Sequence, residues 1–115
     1  MAYTATYRNE GVRMDYTPGA AVSAGDVVVV GDLVGVATRD IAANALGALN
    51  INEVFRFPKT AGTGEAIAQG KIVYWDATNE VATETASTHK VIGKTIAAAG
   101  DDDATVDVNL NEMAT

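Results

Sequence analysis

The residues with the strongest claim to chemistry lie in Thr88-His89-Lys90-Val91-Ile92-Gly93-Lys94-Thr95. Gly-Lys-Thr ends the phosphate-binding loop of many nucleotide-binding proteins. There the backbone wraps phosphate oxygens, the lysine reaches the phosphates and the hydroxyl holds magnesium. The loop needs a first glycine five positions before the glycine that precedes the lysine, and Thr88 stands in that place. A second near-match, Gly64-Glu65-Ala66-Ile67-Ala68-Gln69-Gly70-Lys71-Ile72, has one residue too many between its glycines and Ile72 where the hydroxyl belongs. Neither stretch leads into a convincing helix. Both are expected to be structural, with Gly93 beginning a strand and Lys94 pointing outward.

Asp101-Asp102-Asp103 offers carboxylates for calcium but lacks the alternating acidic positions and later glutamate of a calcium loop, and reads as a solvated acidic turn. His89, the single histidine, sits in a polar turn with no nearby nucleophile or carboxylate in the sequence. Ser23 and Ser87 have no nucleophile-elbow context. No catalytic, cofactor or metal-binding residue is assigned. Tyr74 and Trp75 are neighbours in a strand-like stretch, so they must face opposite sides, one core and one surface or interface. An exposed aromatic there is the best hot-spot candidate for a protein partner.

These side chains need a β framework to hold them. The organising stretch is Ala24-Gly25-Asp26-Val27-Val28-Val29-Val30-Gly31-Asp32-Leu33-Val34-Gly35-Val36-Ala37-Thr38. β-Branched residues are stiff at χ1 and fit a pleated strand. The valine run predicts a strand buried on both faces, and Gly31-Asp32 a tight turn that folds Leu33 to Thr38 straight back. Val22–Ile41 aligns without gaps on Ile67–Ala86 at an offset of 45 residues: Gly25 meets Gly70, Val28 meets Val73, and Val36-Ala37-Thr38 meets Val81-Ala82-Thr83. With one residue of slip, Gly47 matches Gly93, and Val54–Phe57 takes the place of Val106–Asn109. The pattern permits an internal duplication. It also permits two unrelated hairpins built from the same vocabulary.

At 115 residues the chain is long enough for one domain, burying roughly two thirds of its unfolded surface. Alanine, valine and threonine dominate, so the core is expected to be built of small and β-branched side chains. There is no cysteine, hence no disulfide or thiolate metal site. The net charge is −7, and the eight basic residues are scattered with no two adjacent. Nucleic-acid binding needs a basic stripe that is missing here. Met1-Ala2-Tyr3-Thr4-Ala5-Thr6 lacks the basic and apolar segments of a secretory signal, and no apolar run is long enough to span a bilayer.

Along the chain, Tyr3, Ala5 and Tyr7 alternate with Thr4, Thr6 and Arg8, a strand-like period ended by Asn9-Glu10-Gly11. Residues 1–11 are expected to form either an edge strand or an arm that pairs with another chain. Residues 12–111 form a single β domain. Val12, Met14 and Tyr16 face inward and Pro18-Gly19 turns the chain. Arg39–Gly47 is the best helix candidate, but Gly47 interrupts it and no capping box precedes it, so a strand end at Ile41 and a turn at Ala43-Asn44 are expected instead, since asparagine tolerates the left-handed region. Leu46 to Phe57 is expected to be one long strand, kinked near Asn50 to Glu53 and closed by Pro58. Glu65 to Gln69 is expected to form one helical turn. Lys71–Trp75 and Val81–Thr85 form the second hairpin around Asp76–Glu80. Lys90–Ala97 and Thr105–Leu110 are further strands, with Gly100–Asp103 turning between them. Residues 112–115 fray. Short antiparallel strands at this spacing predict an all-β sandwich or small barrel.

The organising stretch, Ala24 to Ala37, strongly resembles the signature of a family of small tailed-phage proteins. So do Gly47-Ala48-Leu49 running into Val54-Phe55-Arg56-Phe57-Pro58-Lys59, Gly70-Lys71-Ile72-Val73-Tyr74-Trp75-Asp76, and Ile92-Gly93-Lys94 before Val106-Asp107-Val108-Asn109-Leu110. These are the capsid cement, or decoration, proteins, and the resemblance runs from about Tyr3 to Asn111. Some members carry a recombinase-like label, which the failed phosphate-loop spacing does not support here. The resemblance implies a compact β protein, made in the host bacterial cytoplasm, that binds the outside of the assembled head. Its partner there is the major capsid protein. Such proteins often sit as trimers near three-fold positions and stabilise the shell against DNA pressure. The residues expected to make capsid or subunit contacts are Tyr3, Thr4, Thr6, Tyr7, Arg8 and Trp75. The competing classes are a nucleotide-binding, recombinase-like protein, marked by a real ATP affinity, and a free-standing β-barrel ligand module, marked by a concave pocket lined by Trp75 or the tyrosines.

Overall fold

The computed structural model describes residues 5–8 and 11–111 of the chain. Among them there are nine strands and no helix: β1 (Arg13–Tyr16), β2 (Val27–Val30), β3 (Leu33–Ala37), β4 (Gly47–Asn50), β5 (Val54–Pro58), β6 (Ile72–Asp76), β7 (Val81–Thr83), β8 (Lys90–Thr95) and β9 (Thr105–Leu110). They form a four-stranded sheet of order β1-β4-β3-β2 and a five-stranded sheet of order β5-β9-β8-β6-β7. Every ladder is antiparallel. The expected all-β class is what the chain adopts, in a sandwich-like arrangement rather than a closed barrel.

Alternation explains the core. In β9, Val106, Val108 and Leu110 are buried while Asp107 and Asn109 are only half-buried, because successive side chains face opposite sides of a strand. A parallel bridge from Lys59 to Ala82 draws the end of β5 against β7, so the larger sheet curls back on itself. Its concave side holds Phe57, Ile67, Val73, Trp75, Ile92, Val106, Val108 and Leu110. Val34 and Val36 of β3 join the same cluster from the smaller sheet. Phe57 meets Trp75 edge-on, with ring centroids 6.1 Å apart at 60°. Burying each such side chain contributes about 1.5–3 kcal/mol.

Asn111 ties the sheets together. Its Nδ2 donates to the carbonyls of Val34 (3.0 Å) and Ile51 (2.7 Å). Its backbone N–H donates to Ile92. The residue sits at φ 59°, a region asparagine tolerates better than most. Behind the smaller sheet, Ala37, Ile41 and Leu49 are buried. Gly47 makes room there, since a Cβ would stand 2.6 Å from Ile41 Cδ1.

Several expectations change. β2 is not buried on both faces: it is the sheet's edge, its valines are at most half-buried, and Val29 is exposed. The interior strand is β3, buried from Val34 to Ala37. Leu46 to Phe57 is not one kinked strand. Residues 51–53 cross between sheets, with Glu53 at φ 76°, so β4 and β5 belong to different layers. Glu65 to Gln69 is not helical. Ile67 instead bridges Ala99, because pairing with a neighbouring backbone outcompetes a single unsupported helical turn. The Lys90 strand stops at Thr95 rather than Ala97. The expected turn at Asn44 is present, with φ 63° and its N–H on the Pro18 carbonyl.

The repeat holds at the start of each unit and fails beyond it. Val22 and Ile67 each make an isolated bridge five residues before a strand, and Gly25 and Gly70 turn the chain at φ 93° and 79°. The hairpins then diverge. Val27 pairs with Val36 across a two-residue turn, whereas Val81, the counterpart of Val36, pairs with Asp76 across Ala77–Glu80. The third strands differ too: β4 adds to β3, but β8 adds to β6.

Residues 5–8 carry no strand, and all four are exposed. Tyr3 and Thr4 of the expected contact set lie outside the described residues, as do residues 112–115, which were expected to fray.

Candidate functional site

The Gly-Lys-Thr triplet lies inside β8, not at its start and not in a loop. Between Val73↔Gly93 and Tyr74↔Val91 the register shifts, leaving Ile92 as the extra residue of a β-bulge. A side chain at position 93 would collide with the Asn109 carbonyl oxygen. The glycine therefore serves a close backbone approach. Lys94 lies opposite Ile72 and Asn109 in the ladder. The Thr95 hydroxyl donates to the Ala68 carbonyl (2.7 Å) and accepts from the Lys71 N–H (2.9 Å), which commits it to joining two segments.

The acidic turn does something the sequence reading missed. Lys59 is buried at 5% exposure. Its Nζ donates to the backbone carbonyls of Thr60 (2.8 Å), Asp103 (3.0 Å) and Asp101 (3.5 Å). The Asp101 carboxylate accepts the Ala66 N–H, and that of Asp103 accepts the Gly100 N–H. The turn thus supplies two of the three carbonyls around the ammonium, braces its own backbone through the Asp103 carboxylate and ties itself to Ala66 through that of Asp101. The one hint in the sequence is a lysine directly after a strand-closing proline.

His89 does find a carboxylate, Asp76, with Nε2 4.0 Å from Oδ2. Asp76 is held below its ordinary value chiefly by the backbone N–H and side-chain amide of Asn79, and only lastly by His89. Two ion pairs link elements. Arg56 on β5 meets Asp107 on β9 at 2.8 Å, and Lys90 on β8 meets Asp32 in the β2–β3 turn at 2.7 Å. Hydrogen bonds from these cations lower both aspartates. Ser23 has its N–H on the Asp26 carboxylate, and Ser87 sits in an exposed turn at φ 43°. Among the described residues no group of three His, Cys, Asp or Glu is placed to hold a metal.

Of the expected contact residues, Thr6, Tyr7 and Arg8 are exposed and lie together, with Tyr7 at 80%. Trp75 is elsewhere and is the core member of its pair, 7% exposed, while Tyr74 is half-buried. A contact role for Trp75 therefore no longer rests on exposure. Its rim lines an open cleft of about 410 Å³ with Val27, Val28, Pro58 and Glu80, and no tyrosine lines that cleft. Other large apolar side chains reach solvent singly, Leu46 and Val54 foremost.

The described residues define an all-β module of two antiparallel sheets, from which residues 5–8 stand exposed and carry no strand. The model of the phage cement protein family matches residues 8–110, most of the chain, and the protein belongs to that family. Membership carries a phage structural, capsid-stabilising role associated with the virion capsid, which is not an enzyme class. Neither the curated proteins nor the solved structures give a match to the chain.

Proposed function

We propose that the protein binds the outer surface of the phage head as a homotrimer on the major capsid protein and secures the shell there. In this reading Ala2 to Glu10 is an arm that ties the domain to a neighbouring subunit or to the coat protein. The observation that carries it is the exposed, strandless stretch Ala5–Arg8 attached to a domain whose strands, among the described residues, lie between residues 13 and 110. Tyrosine supplies large contact area at low entropic cost, and backbone pairing gives affinity without special side-chain chemistry. The net charge of −7 suits the outside of a shell better than contact with packaged DNA.

Deleting Ala2 to Glu10 tests the reading. The truncated protein is expected to melt within a few degrees of the intact chain and to lose most of its co-sedimentation with purified heads. Unchanged decoration by the truncated protein would remove the arm from the mechanism. Failure of the truncated protein to fold would make the segment an integral strand. Intact protein that does not sediment with heads would overturn head binding itself.

A further inference from the structure

We infer that the free edge of β2 is the acceptor for residues 5–8 of a second copy, so that copies join head to tail through an added strand. This rests on the arm reading above and names the arm's partner. Among the described residues four strands lie at sheet edges: β1, β2, β5 and β7. Folded proteins blunt such edges with charge, proline, shortness or cover, because an open edge pairs with other chains. β1 carries exposed Arg13 and Asp15. β5 carries Arg56 and ends in Pro58, which has no N–H. β7 has three residues and meets Lys59 through the bridge at Ala82. β2 is Val27-Val28-Val29-Val30, with no charge, no proline and no break in its register.

The hydrogen-bond parity says what this edge offers. The Ala37 N–H donates to the Asp26 carbonyl (2.9 Å), and Val27 stands opposite Val36. In an antiparallel pair, bonded and non-bonded positions alternate. Val28 and Val30 therefore spend their amides on β3. The N–H and C=O of Val27 and Val29 point away from the sheet, a strand-length row of donors and acceptors. Ala5-Thr6-Tyr7-Arg8 matches β2 in length and supplies an aromatic to lie beside its valines, a favourable cross-strand combination.

The donor must be another molecule. β1, which follows the arm, is at the opposite edge of the same sheet from β2. A strand added outside β2 lies four inter-strand spacings from β1, about 19 Å. The five residue steps from Arg8 to Arg13 span at most about 18 Å when fully extended. Gly11 and Val12 form a turn, which shortens the reach further. With donor and acceptor on opposite edges, the contact is heterologous, and such contacts make rings where the rotation between copies closes and open filaments where it does not. Closure at three gives the proposed trimer.

Analytical ultracentrifugation of the full chain tests this with two complementary variants. Val29→Pro removes an outward N–H that β3 does not use, and Val29→Lys serves if the proline variant loses its far-UV circular dichroism. The intact protein is expected at three times its 11.9 kDa monomer mass. The Val29 variant and the chain lacking Ala2 to Glu10 are each expected to be monomers. Mixed in equal amounts they should give a species of twice the monomer mass and nothing larger, because one retains only its arm and the other only its edge. A folded Val29 variant with the intact protein's mass, a mixture that stays monomeric, or an intact chain that is itself monomeric would each overturn the inference. Sedimentation with heads separates the two proposals. Intact protein that forms rings but ignores heads defeats the cement reading and leaves the edge in place. Intact protein that decorates heads, with an arm whose deletion abolishes decoration and a Val29 variant of unchanged mass, defeats the edge alone.

Discussion

Replacing Asn111 with alanine is expected to cost about 3 kcal/mol of folding stability. The side chain's Nδ2 holds two carbonyls from different segments, Val34 on β3 and Ile51 in the crossover between sheets. Each lost bond costs about 1 kcal/mol net, and more where a half-buried carbonyl is left without a donor. Two bonds give about 2 kcal/mol on that scale. Alanine must also adopt φ 59°, which adds about 1 kcal/mol for a residue with a Cβ and no local side-chain hydrogen bond. Asn111→Gly relieves the backbone and keeps the bond loss, so it should cost about 2 kcal/mol. Urea unfolding followed by Trp75 emission is the assay, since that ring is 7% exposed and edge-on to Phe57. The midpoint should fall with the slope unchanged, because the surface exposed on unfolding is the same. For a chain of this size the melting temperature should drop by roughly 10 °C. An alanine variant within about 0.5 kcal/mol of the parent, the scatter of ordinary surface substitutions, would refute the staple. A glycine variant as unstable as alanine would refute the backbone part.

Three further outcomes are expected. Lys59→Met leaves three carbonyls facing an apolar side chain and should cost about 2 kcal/mol, with hydrogen exchange quickening at Gly62, whose N–H reaches the Asp101 carbonyl across the same loop. Asp32, Asp76 and Asp107 are all held below the ordinary 3.8. The unfolded chain therefore takes up protons first on acidification. The melting temperature should be level near neutrality and fall as pH drops through 3.8 toward the lower folded values, less steeply in Asp76→Asn. A melting temperature that rises on acidification would contradict these shifts. Calorimetric titration with Mg-ATP should be flat, because the Gly-Lys-Thr backbone is committed to a sheet. Saturable heat abolished by Lys94→Ala would restore the nucleotide reading.

Much of the fold was legible because β patterning is local. Thr105–Leu110 alternates cleanly and is β9 at its expected bounds. The paired glycines Gly25 and Gly70 marked turns that do take positive φ. What was not legible depends on layers. Four valines look the same in a central strand as at an edge, since only neighbouring strands decide which faces are covered. Asn50 to Glu53 gives a turn signal, but whether the chain kinks within one sheet or crosses to another is set by partners far along the sequence. Lys59 was invisible as a buried residue because its acceptors are backbone carbonyls at Asp101 and Asp103, which no side-chain pattern announces. The phage-family resemblance rested on turn-and-strand patterns, and these survive in the structure where the phosphate-loop likeness does not.

The two similar stretches differ at the sheet edge each one leaves, which is what the proposed strand addition depends on. Both copies begin with the same bridge, glycine turn and strand, so both present a hairpin at a sheet edge. In the second copy the long Ala77–Glu80 turn shortens β7 to three residues, and Lys59, cradled by the acidic turn, lies against it at Ala82. That edge is closed by the molecule's own chain. In the first copy the two-residue Gly31-Asp32 turn keeps four valines in register with β3 to the end, and Asp32 anchors to Lys90 on β8. Asp32 is an exposed side chain, so this ion pair directs the hairpin tip towards the larger sheet with little energetic gain, and Pro58, Trp75, Ala77 and Glu80 line an open cleft with Val27 and Val28. A stiff, uncharged edge held on a rigid base suits an incoming strand, because little conformational freedom remains to be lost when that strand pairs. The same two-residue turn that keeps β2 in register with β3 therefore leaves Val27 and Val29 with their amides off that ladder, the feature on which the proposed strand addition rests.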